Sequence, residues 1–140
     1  MCIQKGGVPM RTRIFAIIAI AMLIPSFASA YENKSSCDRQ CLVNLMKHYL
    51  AALVAHDPKA VPFDKEVKFT ENTANIPVGD GLWVTASGAP TEFQIYAADP
   101  AAQQVACLVM MKEHKNDSIL LGVRLALRRG NIFEAEHHLI

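Results

Sequence analysis

Net charge is what this 140-residue chain most plainly lacks: 14 Lys plus Arg stand against 13 Asp plus Glu. Affinity for nucleic acid is built mostly from clustered Lys and Arg, so no phosphate-binding surface is expected, and aromatics at only 7% agree. Glycine and proline number 7 each and cysteine 4, too few for a collagen-like, low-complexity or disulfide-dense chain. Disorder is excluded from the other side, because 51% of the residues are hydrophobic and 19% charged. At this length one domain is expected, with no room for a second catalytic one.

The apolar residues are unevenly placed. Arg11 and Arg13 precede an uninterrupted run from Ile14 to Ile24, followed by Pro25, Ser26 and the small residues Ala28, Ser29 and Ala30. This is the pattern of a secretory signal peptide spanning 1–30, with cleavage after Ala30 and a secreted or periplasmic product. A membrane anchor is the competing reading, but eleven residues of helix cover about 16 Å of a hydrocarbon layer of about 30 Å. Met1 to Pro9 adds nothing such a leader needs, so Met10 is an alternative start. Cleavage leaves 11 basic and 13 acidic side chains, and a mildly acidic exported domain has no electrostatic reason to bind nucleic acid or an anionic membrane.

Export permits disulfides. Cys37 and Cys41 are four apart, so on a helix their Cα atoms lie about 6 Å apart and can be bridged. A Cys37–Cys41 staple at the start of a helix is expected. Cys107 falls in the apolar run Val105 to Met111 and reads as a buried, inert thiol. Three Cys and five scattered His do not supply the spacings of a metal site, and no cofactor motif is present. His137 and His138 cannot chelate together from one strand, because neighbours there point to opposite faces.

One helical period is strong. Leu42, Leu45, Met46, Tyr49, Leu50, Leu53 and Val54 form an apolar stripe on a helix expected at 36–56, with Ser35 and Asp38 as its capping box and Asp57-Pro58 as its stop. A short helical turn is expected around Lys59 to Val61. Beyond Pro62 the period is two, and strands are expected at Glu66 to Asn72, Phe93 to Ala98, Gln104 to Glu113, Ser118 to Arg128 and Ile132 to Leu139. Ile76 to Trp83, with one Pro and two Gly, reads as a loop or broken helix. A three-residue turn at Arg129, Gly130 and Asn131 would pair Leu127 with Phe133, Leu125 with Ala135, Leu121 with Leu139 and Arg124 with Glu136. A helix followed by a twisted antiparallel sheet has to fold the sheet over the helix stripe, giving a cone with a mouth.

The segments Tyr49 to Pro58, Val67 to Asn72, Gly79-Asp80-Gly81-Leu82-Trp83-Val84-Thr85-Ala86 and Ala98-Asp99-Pro100 together resemble an uncharacterised family of exported bacterial and fungal proteins within the nuclear transport factor 2-like (SnoaL-like) superfamily. The resemblance runs from about Cys37 to the C-terminus. It implies a single α+β domain over 31–140, a cone-like barrel with a pocket between helix and concave sheet, and a homodimer through the sheet. It implies no particular chemistry, since that superfamily hosts enzymes and non-catalytic binding domains alike. The chain departs from the pattern at His137-His138, which stand where small or β-branched residues are expected.

Two residues read as catalytic candidates. Asp80, between two glycines and near Trp83 at the mouth, is a general base if apolar walls raise its proton affinity, or a cap for the turn that follows. Tyr96 alternates away from Phe93, Ile95 and Ala97, and its hydroxyl serves a substrate oxygen only if its face is the concave one. Tyr49, Glu71 and Trp83 are the pocket candidates: Tyr49 lies on the helix stripe, Trp83 is a core plug or a ligand floor, and Glu71 matters only if it points into the cone. The first functional reading is an exported small-ligand-binding or accessory domain. The alternative is a cofactor-independent lyase or isomerase acting on a small apolar carbonyl compound.

Overall fold

The apolar stripe forms a helix, α1 (Arg39–Val54), in a computed structural model that describes residues 36–115 and 117–140. The expected leader, its expected cleavage point and Ser35 lie outside the described residues. Asp38 caps α1 by accepting a hydrogen bond from the Cys41 amide, one of the orphan donors of the first turn. Asp57 and Pro58 stop the helix, and a 3-10 turn, Pro58–Ala60, follows. Leu42, Met46, Tyr49, Leu50, Ala52 and Leu53 are buried, so the whole inner face of α1 is covered.

Seven strands do the covering: β1 (Phe63–Glu71), β2 (Ala74–Asn75), β3 (Ala86–Gly88), β4 (Gln94–Asp99), β5 (Gln104–Glu113), β6 (Asp117–Arg128) and β7 (Asn131–Leu139). A four-residue helix, α2 (Leu82–Thr85), precedes β3. The sheet order is β2-β1-β7-β6-β5-β3, and β4 also pairs with β5. Sheet and helix form the strongly curled half-barrel of the nuclear transport factor 2-like cone. One pairing departs from the antiparallel expectation: β1 and β7, neighbours in the sheet although first and last among its long strands, run parallel. β5 alternates throughout and β6 as far as Leu125, with Val105, Cys107, Val109, Met111, Leu121, Val123 and Leu125 on the buried face.

The final hairpin corrects its expected turn. Arg128 pairs with Asn131, so the loop has two residues, Arg129 (φ 55°) and Gly130 (φ 81°), as in a type I′ turn. Leu127 therefore faces Ile132 rather than Phe133, and a bulge after it restores the expected pairs Leu125–Ala135, Arg124–Glu136 and Leu121–Leu139. Two short strands, β2 and β3, were not expected; each has at most three residues, below the length at which alternation is visible. Cys37 and Cys41 are disulfide-bonded with Cα atoms 5.2 Å apart, and Cys107 is a buried free thiol. Burial pushes the Cys107 thiol up to about 12, which keeps it protonated and inert.

Candidate functional site

Inside the cone the side chains are apolar except along one line. Tyr49 on α1 is fully buried, and its hydroxyl lies 2.8 Å from His137 Nε2 on β7, also fully buried. His137 Nδ1 lies 3.3 Å from Glu71 Oε2 at the end of β1, where the side chain keeps 16% exposure. Cα pairing of Glu71 with His137 across the parallel ladder makes this contact, and the helix stripe delivers Tyr49 to it. Glu71 Oε2 also accepts the Leu82 amide at 3.0 Å, so the same carboxylate anchors the start of α2. Gly81 stands directly above it at φ 59°, and a Cβ there would fall on the Glu71 carboxylate.

The chain of contacts fixes protonation. Burial holds His137 below its usual range despite the pull of Glu71, so the ring is neutral at pH 7. Burial would raise Glu71, but the His137 and Leu82 hydrogen bonds outweigh it and hold the carboxyl below its usual range. A neutral ring facing a carboxylate must carry its proton on Nδ1, so Nε2 accepts and the Tyr49 hydroxyl donates to it. Burial keeps Tyr49 protonated far above the ordinary phenol range.

Rings enclose this line. Tyr49 meets Trp83 edge-to-face at 5.4 Å, Phe63 at 6.1 Å and His137 at 5.8 Å, and Phe69 meets His137 at 4.8 Å. Trp83, 1% exposed, packs edge-to-face against both Tyr49 and Phe63 and completes a triangle of rings with them. Its indole N–H is the buried side-chain donor without a hydrogen-bond partner among the described residues. It sits close enough to favour ionisation of the Tyr49 hydroxyl, yet not at hydrogen-bonding geometry, which leaves the donor unsatisfied. Such a group costs about 1–3 kcal/mol relative to a paired one. The pocket implied by the resemblance is thus occupied by the protein's own side chains, Trp83 above all.

Of the pocket candidates, Tyr49 and Trp83 share this centre and Glu71 reaches it through His137. The catalytic candidates lie elsewhere. Asp80 is exposed on the loop before α2, where Glu71 rather than Asp80 takes up the first α2 amide. Tyr96 pairs with Cys107 on β5 and therefore lies on the concave side, but at the β4 edge, under Lys47 and hydrogen-bonded to Gln94 at 2.7 Å. His137 was not among the candidates, although its strand alternation with Ala135 and Leu139 places it on the inner face.

The convex side carries a different cluster. Arg124 bonds Glu134 at 2.6 Å, Glu136 at 2.8 Å and Gln104 at 3.2 Å, beside an open depression of about 250 Å³ lined by Ala97, Asp99, Gln104 and Ala106. Glu136 and Glu134 satisfy the Arg124 charge and hold its pKa up, leaving no free cation for a ligand.

No family model matches the sequence, and no curated protein matches it. Solved structures do match in fold. A nuclear transport factor 2-like protein of unknown function from Cytophaga hutchinsonii is 9% identical with a TM-score of 0.55, covering 71% of this chain and 89% of that one. A candidate polyketide cyclase from a Silicibacter species is 18% identical with a TM-score of 0.54, covering 72% and 90%. TerC, co-crystallised with polyporic acid, is 10% identical with a TM-score of 0.51, covering 68% and 88%.

Proposed function

We propose that this chain, whose fold is that of the nuclear transport factor 2-like proteins, is an exported domain that binds a small, largely apolar molecule at the Tyr49–His137–Glu71 line. One observation carries the reading: two fully buried polar side chains, Tyr49 and His137, and an unsatisfied indole N–H stand in an otherwise apolar core, linked to the partly exposed Glu71 carboxylate. Apolar residues of similar volume would fill that space at lower cost, and groups with shifted pKa values cluster at functional sites. The leader pattern supports export, the oxidised Cys37–Cys41 pair is compatible with it, and exposed Phe93 and Ile95 at the β4 edge support a homodimer through the sheet. The fold likeness to TerC, a protein co-crystallised with polyporic acid, supports a small-molecule ligand. Native mass spectrometry of the exported protein tests the reading. A co-purified small molecule, or stabilisation by members of a panel of aromatic and carbonyl compounds, both reduced in His137→Gln, is expected; neither effect with any compound would refute it.

A second reading is favoured by the order carboxylate, imidazole, hydroxyl. Glu71 orients His137, and Nε2 is placed to take a proton from Tyr49 or from a group bound beside it, as cofactor-independent lyase or isomerase chemistry on a carbonyl compound requires. In that case His137 is better placed as proton acceptor than the exposed Asp80. Proton exchange from the carbon next to a ligand carbonyl, lost in His137→Gln while binding persists, would separate catalysis from binding alone.

A further inference from the structure

We propose that Trp83 is a removable plug: the α2 turn swings out about Gly79 and Gly81, and the slot vacated beside the Tyr49–Phe63 pair receives a flat bicyclic aromatic molecule bearing one N–H or O–H donor. This rests on the ligand-binding reading above and adds the entry route and the class of guest.

The donor requirement follows from the line of contacts. Because Tyr49 gives its proton to His137, its oxygen is left as an acceptor, and the indole N–H stands on that side without completing the bond. Trp83 thus marks the guest's shape, two fused rings packed against both Tyr49 and Phe63, while leaving the polar contact unmade. A guest free of the main chain can align its donor with the Tyr49 oxygen, and it re-covers the apolar walls that departure of Trp83 would wet.

The plug is mounted on a segment built to move. α2 has four residues, too few for a helix to hold itself, and Val84 on it is 65% exposed. Its approach passes through Gly79 at φ 102° and Gly81 at φ 59°, and a Cβ at Gly79 would meet nothing nearer than Pro58 Cγ at 3.9 Å. The glycine at 79 answers a backbone need and not a packing one. Polar contacts latch the turn. Glu71 holds the Leu82 amide, Thr85 bonds Glu113 at 2.7 Å, and His56, exposed at the end of α1, bonds the Trp83 carbonyl at 2.6 Å. The His56 latch is reachable by solvent and grips the plug residue itself.

Trp83 is the chain's sole tryptophan, so 5-fluorotryptophan labelling gives one fluorine resonance that reports the plug. Titration of the full exported chain with indole and with 2-naphthol should move that resonance, saturably, to a solvent-exposed position. Naphthalene, which has the shape without the donor, should bind about tenfold more weakly. His56→Gly, which removes the latch and suits the positive φ of 55° at that position, should raise the exposed population severalfold before any probe is added. Binding of 2-naphthol with the fluorine resonance unmoved would overturn the plug while leaving the ligand-binding reading intact. Absence of binding by both donors to the wild-type chain and to His56→Gly would overturn it as well, even if some other molecule co-purifies with the protein.

Discussion

His137 is neutral when folded and free to take a proton when unfolded, which ties stability to pH. Its folded pKa lies below the usual value of about 6.5, so below that pH the unfolded chain binds the proton first. The contribution is fully present above about pH 6.5 and is lost as pH falls; Glu71, also held low, extends the loss below about pH 4.5. Urea melts between pH 7.5 and 5 should show declining stability in the wild type and a flatter profile in His137→Gln. Gly81 makes a second test. Gly81→Ala both forces a side chain into positive φ and displaces the Glu71 carboxylate, so it should cost about 2 kcal/mol or more in a denaturant melt, against under 1 kcal/mol for a neutral surface change. Glu71, Tyr49 and Trp83 were visible in the sequence as candidates because each sits in a legible pattern. His137 was not: beside His138 it read as half of a failed metal pair, and its meaning depends on a parallel neighbour, β1, that no local pattern announces.

At the scale of elements, α1 and the long strands β5, β6 and β7 were legible because they hold their period for nine residues or more. The short α2, β2 and β3 exist through tertiary contacts and left little trace beyond the Pro and Gly that delimit them. One such contact ties the start of α1 to the turn between β4 and β5. The Gln103 side chain accepts from the Cys37 amide and donates to its carbonyl, both at 2.8 Å, acting as a strand partner for the disulfide turn. With about 1 kcal/mol per neutral hydrogen bond, Gln103→Ala should lose about 2 kcal/mol. Amide exchange should then quicken at Cys37 and Cys41 while the β6–β7 hairpin stays protected, which hydrogen-exchange mass spectrometry would read.

For the molecule as a whole, the convex face is the surface left over. Ile95 and Phe93 are 55% and 45% exposed, the row beside Ile95 continues through half-buried Leu108, and the Arg124 charge is neutralised within the face. Large exposed apolar residues on a sheet mark interaction surfaces. Sedimentation should show a dimer that Ile95→Lys converts to monomer; a wild-type monomer at tens of micromolar would remove the sheet-mediated pairing. Topology makes a different demand. β7 lies between β1 and β6, so deleting residues 131–140 removes a central strand together with His137 and should abolish cooperative unfolding by circular dichroism.

That placement of β7 also sets the timing of assembly. A polypeptide whose middle strand is translated after all its neighbours cannot close its ladder while the ribosome still holds the tail, so the emerging chain stays open and threadable. The pieces on either side of β7, β1 with β2 and β6 with β5, wait for that last segment before they become one sheet, so closure is a late and long-range step.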